Sequence, residues 1–133
     1  MKNKIIIKDR WYNKFVREAV PEIIKIFKPK NIIIFGSRIK ANASSESDID
    51  VILVSEVFKD LKFLERMPFV LKKIRFPKHV DYLCYTAAEL HQIKDQSYIL
   101  MNALSEGIYV LSGWTKKHTK VIFKFILLLK KTL

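Results

Sequence analysis

The sequence is poor in the residues that staple a fold or anchor it elsewhere. Its 133 residues include one cysteine, Cys84. No intrachain disulfide can form, and a cysteine-rich zinc site is excluded. Such thiol content suits a reducing cytoplasm. The three histidines, His79, His91 and His118, fall in no zinc-binding spacing. No apolar run approaches the ~20 residues that span a bilayer; the late run Val121 to Leu129 is interrupted by Lys124. The N-terminal triplet Ile5 to Ile7 lies between lysines and is too short for a signal peptide. Acidic residues are scarce as well. Thirteen Asp plus Glu stand against 25 Lys plus Arg, for a net charge of +12. That field favours anionic partners (nucleotides, RNA or an acidic protein face) without choosing among them. What is present, 50% apolar residues, suffices for one ordinary core. The expectation is a soluble, cytoplasmic, single-domain protein with no transmembrane segment.

Hydrophobic periodicity predicts an α/β layout. Trp11, Phe15, Val20, Ile24 and Phe27 recur at near-helical spacing, with Pro21 either breaking that helix or starting a second. Asn31 to Phe35 reads as a short buried strand stopped by Gly36. Residues 38–47 are small and polar and read as a loop; Asp48 to Val54 reads as a second strand. Leu61, Leu64, Met67, Leu71 and Ile74 predict a helix over 58–75 with a possible kink at Pro68. Val80 to Tyr85 is a third strand. Thr86 and Glu89 match a capping box opening a helix that turns Leu90, Ile93, Leu100, Met101 and Leu104 inward and ends at Gly107. Ile108 to Leu111 closes the order as a short strand. The predicted fold is a small mixed β-sheet flanked by helices, over residues 1–113. Residues 114–133 hold six lysines and no acid, and read as an appended basic amphipathic tail, helical where it packs its apolar stripe.

Three aspartates carry the chemistry. Strand alternation turns Asp48 and Asp50 to one face, and Asp81 opens a strand expected beside theirs. Two such charges ~4 Å apart repel by about 4 kcal/mol at an effective dielectric near 20. Such a cluster calls for cations, and carboxylate oxygens are the hard ligands that Mg²⁺ prefers. Metals held there can polarise an attacking oxygen and stabilise a leaving oxygen in phosphoryl displacement. Gly36 and Ser37 follow a buried strand directly: glycine lets a phosphate approach the backbone, and the hydroxyl and N–H groups can bond its oxygens. Arg38 is expected to add charge to the same triphosphate. Gly-Ser or Asp-x-Asp alone is commonplace. Together at one fixed spacing they arise by chance in roughly one chain per thousand. Elsewhere, Cys84 alternates away from Asp81 and reads as a core thiol, the histidines as surface or capping residues, with His79 the one that neighbours the predicted site and is open to a role there, and Lys78 as solvated.

The stretch Phe35-Gly36-Ser37-Arg38, ten residues from Arg38 to Ser47, and then Asp48-Ile49-Asp50 resembles the signature of minimal nucleotidyltransferases of the DNA polymerase β superfamily. Val80-Asp81-Tyr82 resembles their third-carboxylate strand, and Glu106-Gly107-Ile108-Tyr109 the way such domains close. The resemblance covers about residues 10–111. It implies the polymerase β-like palm fold and transfer of AMP from ATP to an acceptor hydroxyl with Mg²⁺ or Mn²⁺. Gly36, Ser37 and Arg38 would hold the triphosphate, Asp48 and Asp50 both metals, and Asp81 the catalytic metal and the acceptor. It further implies a protein partner. Stand-alone members are often antitoxins of HEPN-type RNase toxins, some of which they silence by adding AMP to a tyrosine. Two features depart from the pattern: the tail after Gly113, and the loop Lys40 to Ser47, which lacks a second glycine. A homodimer is compatible with the tail. The rival readings are a binding module that neutralises its partner by contact through a vestigial site, and a nucleic-acid binder. The latter ranks last because no aromatic RNA-binding platform is present.

Overall fold

The computed structural model describes residues 7–40 and 43–111. The boundary at Gly113 and the expected tail, 114–133, lie outside the described residues. Helix α1 (Arg10–Lys14) is capped by Asp9, whose carboxylate accepts from the Tyr12 N–H at 2.8 Å. Pro21 stands in the first turn of a second helix, as one of the two expectations had it, though the chain reaches that helix without leaving helical geometry. Helix α1 widens into a π turn over Phe15–Ala19 and resumes as α2 (Val20–Phe27). Proline lacks an N–H and crowds the carbonyl four residues back, and the wider turn just upstream absorbs both defects. Lys28, at φ 45°, ends α2.

Four strands follow: β1 (Asn31–Phe35), β2 (Ile49–Val54), β3 (Val80–Tyr85) and β4 (Ile108–Leu111). Their order is β3-β2-β1-β4, with β1 antiparallel to both neighbours and β2 parallel to β3. The expected mixed α/β sheet is what the chain forms. Alternation sorts each strand onto two faces. Ile32, Ile34, Val51, Leu53, Tyr82 and Cys84 join the larger core with Phe15, Ile23 and Phe27. Burial pushes the Cys84 thiol up to about 12, so it is an inert core group. Ile33, Ile52, Val54 and Tyr85 pack beneath Leu90, Leu100 and Ala103 on the other face. No helix among the described residues is long and apolar enough to cross a membrane.

Two helical expectations change. The segment after β2 begins as a 3₁₀ turn, Glu56–Asp60, and becomes α3 only at Phe63–Lys73. Leu64, expected inward, is 88% exposed, and Arg66 occupies the buried face with Val70 and Ile74. The single helix expected after Thr86 is two, α4 (Ala87–Ile93) and α5 (Tyr98–Glu106). The capping box at Thr86 and Glu89 is present. The polar stretch Lys94 to Gln96 offers the core nothing, and Ser97 caps a fresh helix by accepting from the Leu100 N–H at 3.3 Å. Met101 consequently points outward.

Arg66 joins three elements. It donates to both Glu89 oxygens at 2.6 and 2.9 Å and to the carbonyls of Leu61 and Cys84. Its hydrogen bonds hold the Glu89 carboxyl down to about 2, aided by the Thr86 N–H. Glu89→Gln is expected to lower the melting temperature by several degrees at pH 7, because it weakens the pairing of a buried guanidinium. A carboxyl with a depressed folded pKa stabilises fully above its ordinary value, 4.5, and loses that contribution as pH falls toward 2. Melting curves followed by circular dichroism should therefore draw together as pH falls from 4.5 toward 2. A gap unchanged across that window would show that the charge of Glu89 is not what matters.

Candidate active site

The site is a consequence of strand register. β1 and β2 pair so that Phe35 faces Asp50, and β2 and β3 pair so that Asp50 faces Asp81. One residue beyond Phe35 the chain reaches Gly36, at φ 86°. A Cβ there would stand 2.3 Å from Asp50 Oδ2. Only glycine lets the backbone lie this close over the carboxylate. Ser37 then begins a one-turn 3₁₀ helix, Ser37–Ile39. Asp48 stands just before β2 rather than inside it, because the strand begins at Ile49. The Ile49 N–H donates to the His79 carbonyl at 3.2 Å, which pins the start of β2 to the start of β3.

The carboxylates feel one another. Asp50 is pushed up to about 6, first by burial, then by Asp81, then by Asp48. Donor atoms of Asp48, His79 and Asp81 all lie within 4.8 Å of one another. Beside Asp50 and Asp81 opens a cleft of about 550 Å³, otherwise largely apolar, with Phe35, Phe63, Leu64, Met67, Leu83 and Ile99 in its walls. A smaller cavity of about 200 Å³ lies against Gly36, Ile39, Lys40 and Asn102. A glycine turn over a carboxylate cluster at one end of a mixed sheet can hold a polyphosphate and its counter-ions.

The family model of the nucleotidyltransferase domain matches residues 14–110. The chain belongs to this family. A crystal structure of "a putative nucleotidyltransferase from Sulfolobus solfataricus" superposes with a TM-score of 0.55 at 25% identity, covering 89% of this chain and 94% of that one. Among curated proteins none matches. General nucleotidyl transfer from a nucleoside triphosphate is thus the activity of the family.

Nucleotidyltransferase domains generally use divalent metals, and the residues here fit one. Most of the donors are hard carboxylate oxygens, and Asp50, raised first by burial and then by Asp81 and Asp48, carries a charge that a cation would help to hold. The expected residues Gly36, Asp48, Asp50 and Asp81 come together at this end of the sheet, with Ser37 beside them. Arg38 does not join them. Its guanidinium, 6% exposed, donates to Asp9 at 3.0 Å and to the carbonyls of Ser44 and Ser47 at 2.9 and 2.7 Å. A buried guanidinium must satisfy its donors, and these partners do so. Arg38 therefore braces the loop that leads into Asp48 instead of facing a triphosphate. Lys78 braces the same loop through Ser45. His79, a neighbour of the site in the sequence, joins the cluster itself. Its Nε2 lies 2.9 Å from Asp81 Oδ1. The signal was available: His79-Val80-Asp81 repeats the two-residue step of Asp48-Ile49-Asp50, and a step of two keeps both side chains on one strand face.

Proposed function

We propose that this chain moves AMP from ATP to a hydroxyl on a protein acceptor and releases pyrophosphate. The observation that carries the reading is the Asp50–Asp81 pair beneath Gly36, with Asp48 alongside. The acceptor we favour is a tyrosine of a HEPN-type toxin, with the chain acting as its antitoxin, as in the minimal nucleotidyltransferases it resembles. The cleft supports a protein acceptor over a nucleic acid. Its apolar walls gain nothing from a phosphate backbone but bury an aromatic side chain well.

Each residue then has a task. Gly36 admits the triphosphate to the backbone, and Ser37 bonds its oxygens. Mg²⁺ or Mn²⁺ held by Asp48, Asp50 and Asp81 would neutralise the triphosphate and polarise the reacting oxygens. The acceptor oxygen bonds to the α-phosphorus as the bond to the pyrophosphate oxygen breaks. The hydroxyl proton leaves toward Asp81, which borders the cleft beside Asp50. Asp9 and Arg38 keep the loop before Asp48 in position.

Calorimetry with ATP is expected to show binding about 100-fold weaker in EDTA than in Mg²⁺. Equal affinity with and without metal would remove the site assignment. With labelled ATP and the partner, wild type should label it and the Asp48→Asn/Asp50→Asn double variant should not. A second reading rests on the exposure of Leu64, Tyr98 and Ile99 at 88%, 83% and 62%: a docking surface that silences the partner by contact. A double variant that silences as well as wild type would establish that reading instead.

A further inference from the structure

Among the described residues, His79 is the member of the carboxylate cluster whose donor is nitrogen. Its position follows from the ladder: Ile49 pairs with Val80, so Asp48 and His79 flank that pair on one side as Asp50 and Asp81 flank it on the other. Its side chain is half exposed, and Nε2 reaches to 2.9 Å from Asp81 Oδ1. That contact is a hydrogen bond. Its length is also the bite of two neighbouring ligands on one ion. Donors at about 2.1 Å from a six-coordinate cation, at right angles, lie about 3 Å apart. The Asp48 oxygen falls within 4.8 Å of both, so little closure is needed for all three to reach one ion.

We propose that His79 ligates the divalent cation of this site through Nε2, beside Asp48 and Asp81, and so tilts the site from Mg²⁺ toward Mn²⁺. The reason is ligand chemistry. Mg²⁺ selects oxygen and releases water reluctantly, whereas imidazole suits first-row transition ions. Mn²⁺ is the member of that series that also accepts an oxygen-rich, octahedral shell, which two carboxylates and phosphate oxygens would complete. The inference takes the site's purpose from the nucleotidyl-transfer reading, but its metal chemistry stands apart from it.

The test uses the full chain without nucleotide. Mn²⁺ binding is followed by electron paramagnetic resonance of free Mn²⁺, and Mg²⁺ binding by competition. His79→Ala is expected to weaken Mn²⁺ binding about tenfold or more while changing Mg²⁺ binding less than about twofold. Pulsed resonance of Mn²⁺ bound to wild type should reveal nitrogen coupling from imidazole, absent in His79→Ala. A wild-type spectrum without nitrogen coupling, or parallel losses for both ions, overturns the proposal whatever the variant's stability. Labelling of the partner separates the two readings. Nitrogen coupling without AMP transfer sinks the transfer reading and keeps the ligand, and transfer without coupling does the reverse.

Discussion

Asp50→Asn is expected to make the metal-free protein more stable while abolishing transfer. The Asp50 carboxyl, ordinarily near 3.8, is pushed up to about 6 in the folded chain by burial and by its two acidic neighbours. Between those values the folded state binds more protons than the unfolded one. Stability therefore falls as pH rises through that window, and the full loss is carried at pH 7. A shift of about two units corresponds to an upper bound near ~3 kcal/mol. Solvent screening at a partly exposed group reduces this to ~1–2 kcal/mol. Asparagine keeps the size and removes the charge. The melting temperature in EDTA should rise by roughly 5 °C at pH 7 and hardly at all at pH 4. Transfer should fall by about a thousandfold or more, since a carboxylate that would hold both metals is gone. Saturating Mn²⁺ should narrow or invert the stability gap, because a ligand of the folded state stabilises the form that binds it. A variant no more stable than wild type at pH 7 in EDTA would show that the three aspartates are not in conflict.

That conflict was half legible in the sequence. Alternation along a strand is local, so Asp48 and Asp50 fall on one face from spacing alone. The β-branched and aromatic stretches Ile32 to Phe35 and Val80 to Tyr85 announce β1 and β3 near their observed limits. That Asp81 stands opposite Asp50, and not one step along, is a matter of register between strands joined by a long crossover. Nothing local encodes it. His79 reads from the sequence only as a neighbour of the site, because a metal-ligating histidine is sought among other histidines and cysteines, whereas here its companions are Asp81, two residues further on, and Asp48, just before the neighbouring strand. Arg38 shows the converse failure. Its position in the chain is right for a phosphate, but its direction is decided by Asp9, 29 residues away, and by carbonyls of a loop whose path no periodicity describes. Arg66 was missed for a related reason. An arginine on an apolar helix face reads as solvated until its partner is known, and Glu89 lies 23 residues further on. The break between α4 and α5 was written in Lys94 to Ser97, but the apolar spacing on either side continues well enough to hide it.

Gly36→Ala is expected to leave a folded chain that no longer holds ATP. Gly36 adopts φ 86° and ψ −160°, a region closed to side-chain-bearing residues except at about 1–3 kcal/mol of strain. An added Cβ would also stand 2.3 Å from Asp50 Oδ2 and 3.3 Å from its Cγ. Both atoms belong to a side chain and not to backbone, so the chain yields by swinging the Asp50 carboxylate away. The fold survives, and the site is what gives way. We expect a stability loss of about 2–3 kcal/mol and a fall in Mg²⁺-dependent ATP affinity of about 100-fold or more, read by thermal melting and calorimetry. A second background identifies the cause. In Asp50→Ala the space opposite Gly36 is open, so adding Gly36→Ala should cost only the backbone part, and the two changes should couple by about 1 kcal/mol instead of adding. ATP binding should not return in that double variant, because the carboxylate is missing. If Gly36→Ala alone binds ATP as tightly as wild type, the triphosphate is held elsewhere, and the close approach of Gly36 to Asp50 is a packing detail of the β1–β2 corner.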